Sequence, residues 1–229
     1  MKKLIFVFLA VFVIASLAAC GREESSMGTE RDSVAQSTGL ESEEKEDNSE
    51  SIQSSGTQAT ETDEAGTKAL VVYFSATGNT KAVAETLTEL TGADIYEIVP
   101  EQPYTDEDLN YNDRTTRATV EQNDPGARPA IQGSITDFEQ YDVIYVGYPI
   151  WWGDMPRILY TFFDAYDFSG KTIAPFCTSG GSGLSGTPET IAELETGATV
   201  LDGLHVSDSA VDNAESQVSE WLSDNGIER

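Results

Sequence analysis

The sequence predicts an α/β fold, a parallel sheet of five strands with helices on both faces. Three observations carry this. The runs "KALVVYF" at 68–74, "YDVIYVGY" at 141–148 and "KTIAPFC" at 171–177 are almost continuously apolar, as strands buried on both faces must be. Amphipathic helical stretches alternate with them, and strands separated by helices build parallel sheets. Residues 67–229 also have the length of one domain.

The elements follow in chain order. Strand 1 is 68–74. In "TKAVAETLTEL", 80–90, Val83, Leu87 and Leu90 recur at helical spacing. "DIYEIV", 94–99, is a short strand. The polar segment 100–136 holds a helix over about 106–122. Strand 3 is 141–148. "MPRILYTFFDAY", 155–166, is helical, with Pro156 in its first turn, where proline fits. Strand 4 is 171–177, against which Pro175 is a mild objection. "TPETIAELE", 187–195, opens with Thr187 as a cap and Pro188 after it. A last strand lies in 198–206. The helix 213–226 gathers Val218, Trp221 and Leu222 on one face.

Residues 1–66 are of a different kind. Lys2 and Lys3 precede an apolar run, Leu4–Ala15, and "LAAC" closes the block at 17–20. This is the layout of a secretory signal peptide, 1–19. The run is shorter than the roughly 20 residues that span a bilayer. Its ending resembles the lipobox of bacterial lipoproteins, which implies lipidation of Cys20. The chain would then sit on the outer side of the cytoplasmic membrane, touching it through the lipid anchor only. Residues 20–66 read as that lipidated cysteine and a disordered acidic Ser/Thr-rich tether, too poor in apolar side chains to offset chain entropy.

Charge and composition narrow the chemistry. The tether 21–66 has 13 acidic and 3 basic residues, and 67–229 has 27 and 8. Such a domain repels nucleic acid, and it holds a polyanionic ligand only where local N–H groups compensate. With two cysteines, Cys20 and Cys177, and one histidine, His205, a Cys/His metal site is nearly excluded, and no nucleophile motif surrounds His205. Cys177 reads as a small buried apolar residue.

Ligands of open parallel sheets sit beyond the carboxyl ends of the strands. Three loops there look specialised. "SATGNT", 75–80, joins strand 1 to a helix start, where unpaired N–H groups and a partial positive charge favour an anion. It contains no lysine or arginine, and the nucleotide-hydrolase loop G-x-x-x-x-G-K-[ST] is absent. In "GYPIWWGDMP", 147–156, adjacent tryptophans cannot both face the core, so one is exposed and asks for a flat ligand or a partner protein. "TSGGSGLSG", 178–186, allows close backbone approach. A phosphate loop, an aromatic wall and a glycine-rich rim together describe a site for a mononucleotide with a flat heterocycle.

"YFSATGNTKAVAE", "YDVIYVGYPIWWGDMP" and "FCTSGGSG" resemble the flavodoxin family, in particular its short-chain flavodoxin-like proteins, over most of 68–229. The resemblance implies a flavodoxin-like three-layer sandwich with strand order 2-1-3-4-5 and a non-covalently bound flavin mononucleotide (FMN). Carried over, Ser75, Thr77, Gly78, Asn79 and Thr80 hold the phosphate. Pro149, Ile150, Trp151, Trp152 and Gly153 line the isoalloxazine, and Thr178, Ser179, Gly180, Gly181 and Gly183 meet its other edge. The third loop lacks the second aromatic that the family's electron carriers often place there. In 100–136, Tyr104 or Asn110 are candidates to reach the substrate side of the flavin. No side chain stands out as a catalytic acid or base, and no metal is expected.

Two functions from different classes follow. One is redox work by an FMN protein, as an electron carrier or an NAD(P)H-dependent reductase, with donor and acceptor unassigned. The other is a surface lipoprotein that uses the flavodoxin fold as a binding or interaction module.

Overall fold

A computed structural model describes residues 67–227. The expected signal peptide, Cys20 and the tether lie outside the described residues. The sheet contains β1 (Ala69–Tyr73), β2 (Asp94–Glu97), β3 (Val143–Pro149), β4 (Thr172–Ser179), β5 (Thr199–Val200) and β6 (Leu204–Ser207). Its order is β2-β1-β3-β4-β5, all parallel, and β6 pairs with β4 further along the same edge. The helices are α1 (Asn79–Thr91), α2 (Arg117–Asn123), α3 (Arg157–Ala165), α4 (Thr187–Leu194) and α5 (Glu215–Asp224). Short 3-10 turns occupy Phe138–Gln140 and Val211–Asn213.

The apolar runs are continuous because alternate residues feed two cores. Leu70, Val72, Phe74, Ile144, Val146 and Tyr148 pack with Ile158, Leu159 and Phe162 of α3 and Ile191 of α4. Their neighbours Val71, Tyr73 and Tyr145 pack on the other face with Val83 and Leu87 of α1 and Val218, Trp221 and Leu222 of α5. This is the three-layer architecture that the apolar patterning predicts.

Two sequence expectations change. The helix expected over 106–122 is confined to α2, and 106–116 is a series of turns. Asp108 accepts from Thr105 N–H at 2.9 Å, Asn110 from Asn112 N–H at 3.0 Å and Asp113 from Thr115 N–H at 2.8 Å. These local bonds give the backbone partners other than a helix. The last strand is interrupted at 201–203, between β5 and β6. Ile173 O accepts from Leu201 N–H and Ser179 O from Asp208 N–H, so the odd-numbered residues of β4 face this edge. Pro175 therefore turns its missing N–H toward the interruption, where a strand tolerates proline.

Register brings the strand ends level. Tyr73 pairs with Gly147, Pro149 with Thr178, and Ser179 with Ser207. At Gly147 the chain leaves no room for a side chain: a Cβ would stand 2.2 Å from Cζ of Phe176. The Phe176 ring fills the space over Gly147 and closes the core just below the site.

Candidate functional site

At that edge lies a cleft of about 380 Å³. Its walls come from Thr77 and Asn79 of the first loop, Pro149, Ile150 and Trp151 of the second, and Thr178, Ser179 and Gly180 of the third. The topology thus brings all three specialised loops to one depression. A second cavity of about 460 Å³ opens at the amino end of the strands, between α1 and α5, away from these loops.

The first loop is shaped by its own residues. Ser75 Oγ accepts from Gly78 N–H at 3.1 Å, and Gly78 stands at φ +96°, a left-handed conformation that glycine adopts without strain. Gly78 is the residue before α1, and no side chain caps the helix start. The leading N–H groups of α1 are therefore left for a ligand or water. Thr80 is buried, and its hydroxyl meets that of Thr178 at 2.9 Å. This bond braces the first loop against the third.

The two tryptophans divide between the cleft and solvent. Trp151 is 3 % exposed and lines the cleft; Trp152 is 42 % exposed. Trp151 and Asp154 exchange backbone hydrogen bonds of 2.8 and 3.0 Å around Trp152 (φ +50°) and Gly153 (φ +80°). Positive φ at both central residues makes a tight turn whose first position strains a tryptophan. Trp151 is held in place from behind. Phe74 and Tyr104 meet it edge-on, with centroids 5.6 and 5.1 Å away. Tyr104 donates to Glu121, and the Arg117 guanidinium lies 4.2 Å from the Tyr104 ring centre. Burial, then the bond to Glu121, pushes the Tyr104 phenol far above its ordinary pKa.

Another aromatic at the cleft comes from the 100–136 segment. Tyr111, 60 % exposed, lines the cleft, and its ring centre is 5.0 Å from that of Trp152. Tyr104 takes the supporting position behind Trp151, and Asn110 is exposed. Ala76, Asp106, Leu109, Tyr111 and Asp208 line the cleft without having been singled out from sequence. Tyr111 carried a signal, an aromatic in a polar segment, and Asp208 follows β6 at the same edge as the other loops. Among the expected residues, Ser75, Gly78, Thr80, Trp152, Gly153, Gly181 and Gly183 do not line the cleft; they belong to its loops.

The third loop is held by Ser179, whose Oγ lies 3.0 Å from Ser182 N, 3.4 Å from Gly181 N and 2.9 Å from His205 Nε2. Cys177 beneath it is fully buried, and burial pushes its thiol up to about 12. That thiol is protonated at any ordinary pH.

Among the described residues no lysine or arginine lines the cleft, whereas Asp106 and Asp208 do. Lys81 stands on the exposed side of α1, 3.5 Å from Glu85. Among the described residues no cluster of His, Cys, Asp and Glu could hold a metal ion, and no helix is long and apolar enough to cross a membrane.

Comparison with known proteins agrees with the geometry. The chain is similar to a proposed flavoprotein from Bacteroides eggerthii: identity is 39 %, 71 % of this chain and 100 % of that chain are covered, and the TM-score is 0.66. A second proposed flavoprotein, from Bacteroides uniformis, has 37 % identity, covers 69 % and 99 %, and has a TM-score of 0.64. A Lactobacillus acidophilus flavoprotein in complex with FMN has 25 % identity, covers 68 % and 99 %, and has a TM-score of 0.53. No curated protein matches. A family profile described as flavodoxin matches residues 68–225, and with the strand order, the loops and these relatives it establishes that the chain belongs to the flavodoxin family.

Proposed function

We propose that the cleft binds FMN and that the chain is an FMN redox protein, carrying electrons or reducing a small acceptor. The observation that carries this is the cleft's donor set. An uncapped helix start beside Thr77 and Asn79 shares the cleft with a buried Trp151 wall, and no cation of the described residues lines the space between.

The residues fit the cofactor. The first N–H groups of α1, with the Thr77 hydroxyl and the Asn79 amide, suit a phosphate, because hydrogen bonds to a charged group are worth roughly 1.5–3 kcal/mol each. Trp151 offers an indole at the aromatic wall, and Tyr111 a phenol ring at the rim. Gly180 lets backbone approach a polar ring edge. The Lactobacillus acidophilus relative with FMN supports the assignment.

When bound, the flavin supplies the redox chemistry. The chain's own residues grip, orient and exclude water. The Thr80–Thr178 bond keeps two loops at a fixed separation, and the Phe74–Tyr104–Trp151 stack holds the indole still. Among the described residues no buried acid or base lines the cleft.

The N-terminal sequence supports a place outside the cytoplasmic membrane, anchored through a lipid on Cys20. Exposed Trp152 and Tyr111 favour the second reading, a binding module without redox work. Incubating the full chain with FMN and recording its visible spectrum decides between them. The redox reading expects a bound yellow cofactor that is lost when Thr77 and Asn79 become alanine. A colourless protein that ignores FMN supports the binding module.

A further inference from the structure

The proposed cofactor cleft makes no use of the chain's one histidine. His205 lies on β6, in register with Cys177, and does not line the cleft. Its Nε2 is nonetheless 2.9 Å from Oγ of Ser179, which does.

A serine hydroxyl has one hydrogen to give and two lone pairs to receive. At Ser179 the two lone pairs take the N–H groups of Ser182 (3.0 Å) and Gly181 (3.4 Å). The hydroxyl hydrogen is left over, and His205 Nε2 is the acceptor in reach. All three partners of the hydroxyl are satisfied when the imidazole carries its proton on Nδ1, because Nε2 is then free to accept. Ser179 is 7 % exposed, so water is a poor substitute.

The turn depends on this bond. Gly181 stands at φ +144° and Gly183 at φ +63°, positions where the chain has little preference of its own. The Ser179 hydroxyl selects one arrangement by holding two successive N–H groups, and His205 decides which way that hydroxyl points. We propose that His205 is a positioning residue for the 179–183 turn, acting through Ser179 to set the rim of the cleft; its effect on a bound cofactor rests on the FMN reading above.

The test uses the full chain in two measurements. Amide hydrogen exchange without FMN reports on the turn, and FMN affinity reports on the cleft. His205→Ala is expected to speed exchange at Gly181 and Ser182 about tenfold and to weaken FMN binding by a similar factor, the size of one lost hydrogen bond. His205→Gln, whose carbonyl accepts from Ser179, is expected to restore both. In a Ser179→Ala background His205→Ala is expected to add nothing. Unchanged exchange in His205→Ala, equal exchange in the Ala and Gln variants, or additive effects in the double variant would overturn the proposal. If His205→Ala does not fold, His205→Phe, which fills the space without accepting, takes its place against His205→Gln. If no protein, wild type included, binds FMN, the functional reading fails, and the exchange data still decide the role of His205.

Discussion

The hydroxyls of Thr80 and Thr178 meet at 2.9 Å across 98 residues of sequence. One stands in the first turn of α1 and the other at the end of β4. Both are buried, so neither has water as an alternative partner. Replacing either by valine strands the other hydroxyl and is expected to cost about 1–3 kcal/mol. Replacing both removes the orphan, so the double variant is expected to lose less than the sum. Urea unfolding of the four proteins measures this coupling, and strict additivity would mean that the pair is not a brace.

A second expectation concerns Gly147. With Phe176 Cζ 2.2 Å from the position of a Cβ, Gly147→Ala overpacks the core and is expected to destabilise by about 1–3 kcal/mol. Adding Phe176→Leu makes room and is expected to recover part of that loss. Chemical denaturation of both variants checks it.

Cys177 gives a pH dependence. Its folded pKa is raised to about 12 by burial, above roughly 8.5 for a free thiol. Above pH 8.5 the unfolded chain loses a proton that the folded chain keeps, so stability falls as pH rises through this window. The slope approaches about 1.4 kcal/mol per pH unit. Between pH 9 and 10 Cys177→Ala is expected to make the fall shallower by about that amount, the part left being due to tyrosines that burial also shifts up, and native wild type is expected to show no more thiol alkylation at pH 8 than Cys177→Ala does.

The charge of the cleft bears on redox potential. Reduction adds negative charge to a flavin, and Asp106 and Asp208 line the space, with no cation among the described lining residues. The second-electron midpoint is therefore expected below that of free FMN. Asp208→Asn is expected to raise it by roughly tens of millivolts, the scale of one partly screened charge. A redox titration with midpoints at or above free FMN contradicts this.

Much of this architecture was legible because burial writes itself into the pattern. A strand covered on both faces has few polar positions, which is why 68–74 and 141–148 stood out. That one of Trp151 and Trp152 is exposed was legible from their adjacency, whereas the tight turn at Trp152 and Gly153 decides which one. The helix over 106–122 failed where Asp108, Asn110 and Asp113 bonded locally, an outcome set by side-chain geometry rather than periodicity. Tyr111 and Asp208 were missed because they reach the cleft from outside the three loops, and tertiary placement leaves no local pattern. Thr80 reads from sequence like its neighbours; only the position of Thr178 shows that its hydroxyl points inward.

The central claim is that uncharged donors at the start of α1 hold a phosphate. Comparing FMN with riboflavin, which lacks that phosphate, tests it most directly. Two hydrogen bonds to a charged group are worth roughly 3 kcal/mol or more, so FMN is expected to bind at least about 100-fold more tightly. Thr77→Ala with Asn79→Ala is expected to shrink that preference. Equal affinity for the two flavins, or no binding of either, would contradict the account.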